Sequence, residues 1–418
     1  MKPREGFHLT HRERWLAHLH FEPVDHVPDE EFGYWDGTLR RWHQEGLPEE
    51  ITDNAAADAF FGFAPRAGVP INLDLMPPFE YEVIERGEDY VIVRDGAGVV
   101  SKAFTDGHET IPQYLDFPLK GRREWEELFK PRLDPTTPGR YPSDWEAHVE
   151  RLNNADAPVV VFAGSLFGWL RNWAGFEGIS YLIYDDPGLF EEMVEHLCWF
   201  SCTLLERAVK DIRKIDAGAF WEDMCYRAGC IISPKMFRQY LTPRYKRITD
   251  LLAEAGCDIN YVDCDGNIND VVECWLEGGV NTMFPVEVGA GTDPLELRRK
   301  YGRRCLLMGG VDKHALARGR EAIDAELERI RDAVMEGGWI PHVDHRVPAD
   351  VSYADYLYYL RRKREIFGIP EPEPWEIRKA RAEGRLPEAP SIVHYDEREQ
   401  EERRLQDWLE RQGEEGEQ

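Results

Sequence analysis

The 418-residue chain is poor in basic side chains. It has 51 Lys and Arg against 79 Asp and Glu, a net charge of −28. That surplus repels phosphate backbones and anionic lipid heads, so no nucleic-acid partner and no membrane partner is expected. No run approaches the roughly 18–20 apolar residues that cross a bilayer. The opening, MKPREGFHLTHRERW, scatters charge where a secretory signal would be apolar. Cysteine is scarce: none precedes Cys198, and eight in the whole chain are too few for a disulfide scaffold. A reduced, cytoplasmic protein is expected. No Gly-x-Gly-x-x-Gly follows a candidate strand, which counts against a dinucleotide-binding open sheet. What is present, 42% hydrophobic and 31% charged residues, is the composition of a folded protein and not a disordered one.

Thr10 with Glu13 forms a capping-box pattern that opens a helix, and Glu31–Trp35 reads as a first strand. Short β runs punctuated by glycine between about 69 and 105 predict a hairpin or meander inserted into the main pattern. From about residue 157 the pattern becomes regular. Strands are predicted at 158–164, 217–221, 258–262, 280–284, 305–308 and 339–343. Helices alternate with them at 187–214, 234–255 with a break near Pro243, 268–276, 294–301, 315–335 and 353–367. This alternation implies βαβ crossovers and a parallel sheet. The fold class expected is α/β, a (β/α)₈ TIM barrel over residues 1–368 with a β-hairpin insertion. Residues 369–418 read as an extension: a Pro/Glu linker at Pro370-Glu-Pro-Glu-Pro374, then a charged helix at 396–411. That helix is either a solvated surface or a homo-oligomer contact.

In a parallel barrel the chemistry sits at the C-terminal ends of the strands. Five consecutive predicted strands end in ionisable groups: Glu222-Asp223, Asp263-Cys264-Asp265, Glu287, Asp312-Lys313-His314, and His342 with Asp344-His345. An Asp in such a place often caps the next helix. Caps do not usually arrive as Glu-Asp, Asp-x-Asp and His-x-Asp-His together. So many acids at one mouth require a metal, raised carboxyl pKa values or cationic partners. Asp263, Asp265 and His345 are the expected ligands of a divalent metal, zinc first. Glu222 or His342 would supply a fourth ligand or support. Glu222, Asp223, Asp265 and His342 are the catalytic candidates. Cys264, between two inward residues of an extended segment, should point the other way. Tyr34, Trp35, Trp169, Lys313 and Arg346 are the candidates for binding substrate.

The segments Arg12–Pro28, Ile232–Phe237 with Pro243–Lys246, Asp265-Gly-Asn267, Gly309–Lys313 and Gly338–Pro348 resemble, in that order, the uroporphyrinogen decarboxylase superfamily. The resemblance spans roughly residues 8–368 and implies a (β/α)₈ barrel. The superfamily includes a cofactor-free decarboxylase of the heme pathway and methyltransferases of corrinoid systems, which use zinc to activate a thiol. The decarboxylase's Arg-rich N-terminal motif corresponds here to Pro28–Asp36, which has no Arg, so an anionic tetrapyrrole is disfavoured. The methyltransferases' His-x-Cys-Gly-Asn corresponds to Asp263-Cys264-Asp265-Gly266-Asn267, and their final Cys falls at or next to His345. The resemblance therefore implies, first, a metal-dependent methyltransferase acting on a small methylated substrate or a corrinoid-bound methyl group. No cobalamin-binding domain is visible, so any corrinoid would sit on a partner protein. The alternatives are a decarboxylase of another acid and a non-catalytic small-molecule-binding protein.

Overall fold

Along every long strand of the main sheet, successive residues enter two different cores. In Val159–Gly164, Val159, Val161 and Ala163 face one core and Val160 the other. Leu307 divides in the same way from Leu306 and Met308, and Phe220 from Ala217 and Ala219. This is the period of two of an extended chain apolar on both faces, as parallel strands under helices require. The computed structural model describes residues 8–105 and 112–385. Seven strands pair in parallel in chain order: β1 (Ala67–Gly68), β2 (Val159–Gly164), β3 (Ala217–Trp221), β4 (Ile259–Asp263), β5 (Thr282–Phe284), β6 (Leu306–Met308) and β7 (Trp339–Ile340). Helices on the outer face supply the crossovers, among them Pro187–Asp211, Thr242–Ala253 and Arg320–Glu336.

The sheet is curled. Val160, Ala217, Ile259, Phe284, Met308 and Ile340, drawn from β2 to β7, meet in one inner cluster. Arg66, which precedes β1, reaches Met308 of β6 at 3.7 Å. An open, flat sheet could not bring its first and sixth strands together. Helix His11–Leu19, opened by the Thr10–Glu13 capping box, adds Trp15 and Leu19 to the same cluster.

Several elements differ from the expectation. The strand expected at Glu31–Trp35 is a single parallel bridge from Tyr34 to Val347. The last strand stops at Ile340 because Pro341 has no N–H to continue the ladder. The helix expected at 315–335 is two, Lys313–Ala317 and Arg320–Glu336, separated at Gly319 with φ +90°. The glycine-punctuated region is a four-stranded antiparallel sheet of Glu82–Arg86, Tyr90–Arg94, Val100–Phe104 and Gln113–Asp116, reaching beyond residue 105. After Pro374 a short helix, Trp375–Ala382, packs Trp375 against Phe60 at 5.6 Å. The charged segment 396–411 lies outside the described residues. Among the described residues no helix is long and apolar enough to cross a membrane.

Candidate functional site

Parity and register build the site. Ile259 lies in the inner cluster, so Tyr261 and Asp263 also face inward along β4, while Val262 joins the outer core. Asp263 is the register partner of Trp221 on β3, which brings the residues just beyond these two strand ends together. Beyond the ladder the Asp265 amide donates to Asp223 Oδ1 at 3.2 Å. Gly266 then turns the chain at φ +86°, where a Cβ would lie 2.6 Å from the Cys225 carbonyl oxygen. Only glycine fits there, and its amide donates to Glu287 Oε2 at 3.0 Å.

The result is a triad of carboxylates. Asp223, Asp263 and Asp265 each offer an oxygen, and these atoms lie within 4.8 Å of one another. Burial raises the pKa of Asp263 to about 8, with help from Asp223 and Asp265 and against the Arg346 charge. Burial and Asp265 also raise Asp223, against Arg171 and His345. Asp265 Oδ1 is buried with no hydrogen-bond partner. The other Asp265 oxygen lies 3.0 Å from His345 Nε2. Burial opposes the charged imidazole, but the hydrogen bond and charge of Asp265 outweigh it and raise the His345 pKa.

Basic and aromatic groups ring the triad. Arg171, from helix Gly168–Asp185, lies 3.5 Å from Asp223. Trp35 stacks on His345 at 5.5 Å, and the Arg346 guanidinium lies over the Trp35 ring at 5.4 Å. Phe32 meets His345 edge-on at 5.5 Å. Lys313 pairs with Glu287 at 2.6 Å, and its backbone amide donates to buried Asp344.

Of the expected site residues, the structure therefore brings Asp223, Asp263, Asp265, His345, Trp35 and Arg346 together. Others lie elsewhere. Glu222 has the opposite parity to Trp221 and Asp223. Its carboxylate accepts the Leu166, Phe167 and Gly168 amides at 2.6–2.8 Å and the Tyr245 hydroxyl at 2.5 Å. It holds the start of a helix and does not line the mouth. His342 is buried, with its ring nitrogen 2.8 Å from the Val343 carbonyl, and burial lowers its pKa to about 3. Tyr34 is a core residue bonded to the Tyr356 hydroxyl at 2.8 Å. Trp169 stacks on Trp173 at 6.0 Å and meets Phe162 of β2 edge-on at 6.0 Å. Cys264 points away from its flanking carboxylates into the outer core.

The acidic Pro28–Asp36 segment spends its charge internally. Asp29 pairs with Lys363 and Arg364 at 2.8 and 2.9 Å, and Glu30 pairs with Arg66. Repulsion by these two acids is thus not what separates the site from an anionic substrate. The aromatic-rich segments Phe32–Asp36 and Phe167–Trp173 stand out in the sequence as pocket-lining candidates, and Phe32 and Arg171 lie within them; nothing local singles out Arg171 as the partner of Asp223.

The same stretch of chain carries a family signature. The uroporphyrinogen decarboxylase (URO-D) family model matches residues 112–361, which include β2 to β7 and all three triad carboxylates. Uroporphyrinogen decarboxylases of Actinobacillus pleuropneumoniae and Xanthomonas axonopodis pv. citri are 22% and 23% identical over 355 and 363 residues. Those matches cover 81% and 82% of this chain and 92% and 95% of the two proteins. Among solved structures, a methyltransferase from Methanosarcina mazei aligns with TM-score 0.53 and 18% identity. It covers 86% of this chain and 100% of that one, a likeness of fold. With the family pattern running through more than half of its length, the chain belongs to the uroporphyrinogen decarboxylase family.

Proposed function

We propose that the chain is a divalent-metal-dependent methyltransferase of this family. It would act on a small methylated substrate or a corrinoid-bound methyl group, with the corrinoid on a separate partner protein. The observation that carries this reading is the buried, unpartnered Asp265 Oδ1 beside two further carboxylates. Three carboxylates this close, with one buried oxygen left without a hydrogen-bond partner, form a donor set that a divalent cation would satisfy. Asp223, Asp263 and Asp265 would hold the ion, with His345 fixing the outer oxygen of Asp265. Zinc is the ion expected from the resemblance. An all-oxygen set binds zinc less tightly than thiolates and also suits Mn²⁺. The ion would supply Lewis acidity toward a substrate oxygen. Arg171 holds Asp223 in place, Trp35 and Phe32 orient the His345 ring, and the Arg346–Trp35 stack covers one side of the site. In the same reading the Tyr34 segment takes the eighth barrel position. Residues 1–368 then form one domain with the antiparallel sheet as an insertion, and 369–418 form an extension.

A decarboxylase of another acid is the second reading, favoured by the raised Asp263 pKa. A carboxyl that holds its proton near neutrality can deliver it to carbon as CO₂ leaves. Metal analysis of protein purified without chelator or His tag separates the two. The first reading expects a stoichiometric divalent ion, lost together with methyl transfer in Asp263→Ala and Asp265→Ala. If the protein binds no divalent ion even in micromolar excess, that reading fails. The second then expects activity governed by one raised carboxyl pKa.

A further inference from the structure

Three of the eight cysteines meet on the outer side of the loop that carries Asp263 and Asp265. Beyond β3 the chain forms a small antiparallel hairpin, Cys225–Tyr226 against Gly229–Cys230, closed by Arg227-Ala228. Cys225 and Cys230 are register partners in it. One step further along the ladder the Ile231 amide donates to the Met224 carbonyl at 2.9 Å. Hydrogen-bonded and non-hydrogen-bonded pairs alternate in such a ladder, so Cys225 and Cys230 form a non-hydrogen-bonded pair, the kind whose side chains lie closest. The Cα atoms of such a pair stand about 4.5 Å apart, inside the roughly 4.4–6.8 Å that a disulfide spans. The Cys225 thiol is within hydrogen-bonding reach of the thiols of both Cys230 and Cys264.

The three thiols differ in access. Cys225 and Cys264 are buried, whereas Cys230 is half-buried. The Cys264 thiol donates to the Asp265 carbonyl at 3.5 Å, which ties it to its own loop. The hydrogen bond from Cys225 lowers the pKa of Cys230, against burial, and the Ile232 and Ile231 amides add to the effect. The hairpin itself is anchored by its backbone. The Tyr226 carbonyl accepts the Asn267 amide at 3.0 Å, and the Cys225 carbonyl closes on Gly266. A thiol that combines solvent access with a resolving thiol at its side is the one a small oxidant reaches first.

We infer that Cys225 and Cys230 are a reversible oxidation site, bridged to a disulfide by hydrogen peroxide and reopened by a dithiol. The Cys230 thiolate attacks one peroxide oxygen. An S–O bond forms, the O–O bond breaks, and the departing hydroxide takes up the proton that the thiol gave away. The Cys225 sulfur then attacks the sulfur of the Cys230 sulfenic acid. The S–S bond forms, the S–O bond breaks, and hydroxide leaves with the Cys225 proton as a second water. The two thiols lose two electrons and two protons, and one peroxide becomes two waters. Cys264 stays reduced, because register pairs Cys225 with Cys230 and not with Cys264. The inference stands on the hairpin alone and does not depend on the metal reading.

Peptide mapping of the full chain tests it. The reduced protein is treated with hydrogen peroxide in the presence of a chelator, then alkylated with iodoacetamide in denaturant and digested with trypsin. Cleavage after Arg227 separates the two cysteines, so the bridge should join peptide 215–227 to peptide 228–235, lighter by two hydrogens than their sum. Dithiothreitol should release both peptides. Cys264→Ala should bridge at the wild-type rate, and Cys225→Ser should instead carry Cys230 on to sulfinic acid. A bridge between any other pair would overturn the inference. So would full alkylation of Cys225 and Cys230 after peroxide, sulfinic acid on Cys230 of the wild type, or a bridge that forms only when Cys264 is present. The map is read on wild-type protein, so the inference can fail without any variant having to fold.

Discussion

Asp223, Asp263 and Asp265 are costly neighbours. At neutral pH a carboxyl with its pKa raised to about 8 keeps its proton, so the triad without a cation holds one that a bound ion must displace. Uptake of Mn²⁺ or Zn²⁺ at pH 7 should therefore release protons. Calorimetry in buffers of different ionisation enthalpy should detect the release, and Asp263→Asn should abolish it. Glu222 gives the contrasting case. Removing it would strand the Leu166, Phe167 and Gly168 amides, at about 1–3 kcal/mol for each buried unpaired donor. Glu222→Ala should lower the urea midpoint by an amount equivalent to about 3 kcal/mol or more, with the metal still bound. A variant of wild-type stability that lost only catalysis would return Glu222 to the mouth.

At the scale of elements, the Pro28–Asp36 segment ties the curled sheet to helix Tyr353–Phe367 through Asp29, Lys363 and Arg364. Glu31 sits within that tie, accepting the Phe32 and Val343 amides at 3.0 Å, and burial raises its pKa to about 7. Its folded pKa lies above its unfolded value of 4.5. The folded state therefore binds more protons between those two values. The stability Glu31 contributes is complete below the lower one and lost as pH rises through the upper one. His342 acts in the opposite sense, since burial keeps it neutral down to about pH 3 and acid costs the fold stability. The wild-type profile mixes the two, so the variant is the cleaner probe. The Tm of Glu31→Gln relative to wild type should rise between pH 5 and pH 7 and level off above it. A difference independent of pH would show that Glu31 does not titrate there.

For the molecule as a whole, the triad joins the ends of β3 and β4 to the loop after β7 through His345. An ion bound there stabilises the folded state by mass action, about 2.7 kcal/mol at a hundred times Kd. Thermal melts with increasing Mn²⁺ or Zn²⁺ should show a Tm that climbs with concentration. Asp265→Asn should be flat, and wild type should respond less at pH 6 than at pH 8 because protons compete for the carboxylates.

The strand–helix alternation after residue 157 was legible in the sequence because parallel strands under helices are short apolar runs, and the runs at 159–164, 217–221 and 306–308 stand out from their flanks. Asp263 and Asp265 could be placed on one face, with Cys264 on the other, by the period of two. The same period of two turns Glu222 outward between Trp221 and Asp223, toward the Leu166, Phe167 and Gly168 amides and away from the mouth. Pro341 likewise announced the early end of β7. Other features were decided by tertiary structure. That Asp223 completes the triad depends on the parallel register of Trp221 with Asp263, a long-range pairing with no local mark. That Asp29 and Glu30 are neutralised depends on Lys363, Arg364 and Arg66, the first two more than 300 residues away. Periodicity is a property of one strand. Register and curvature belong to the sheet, and they decide which charges meet.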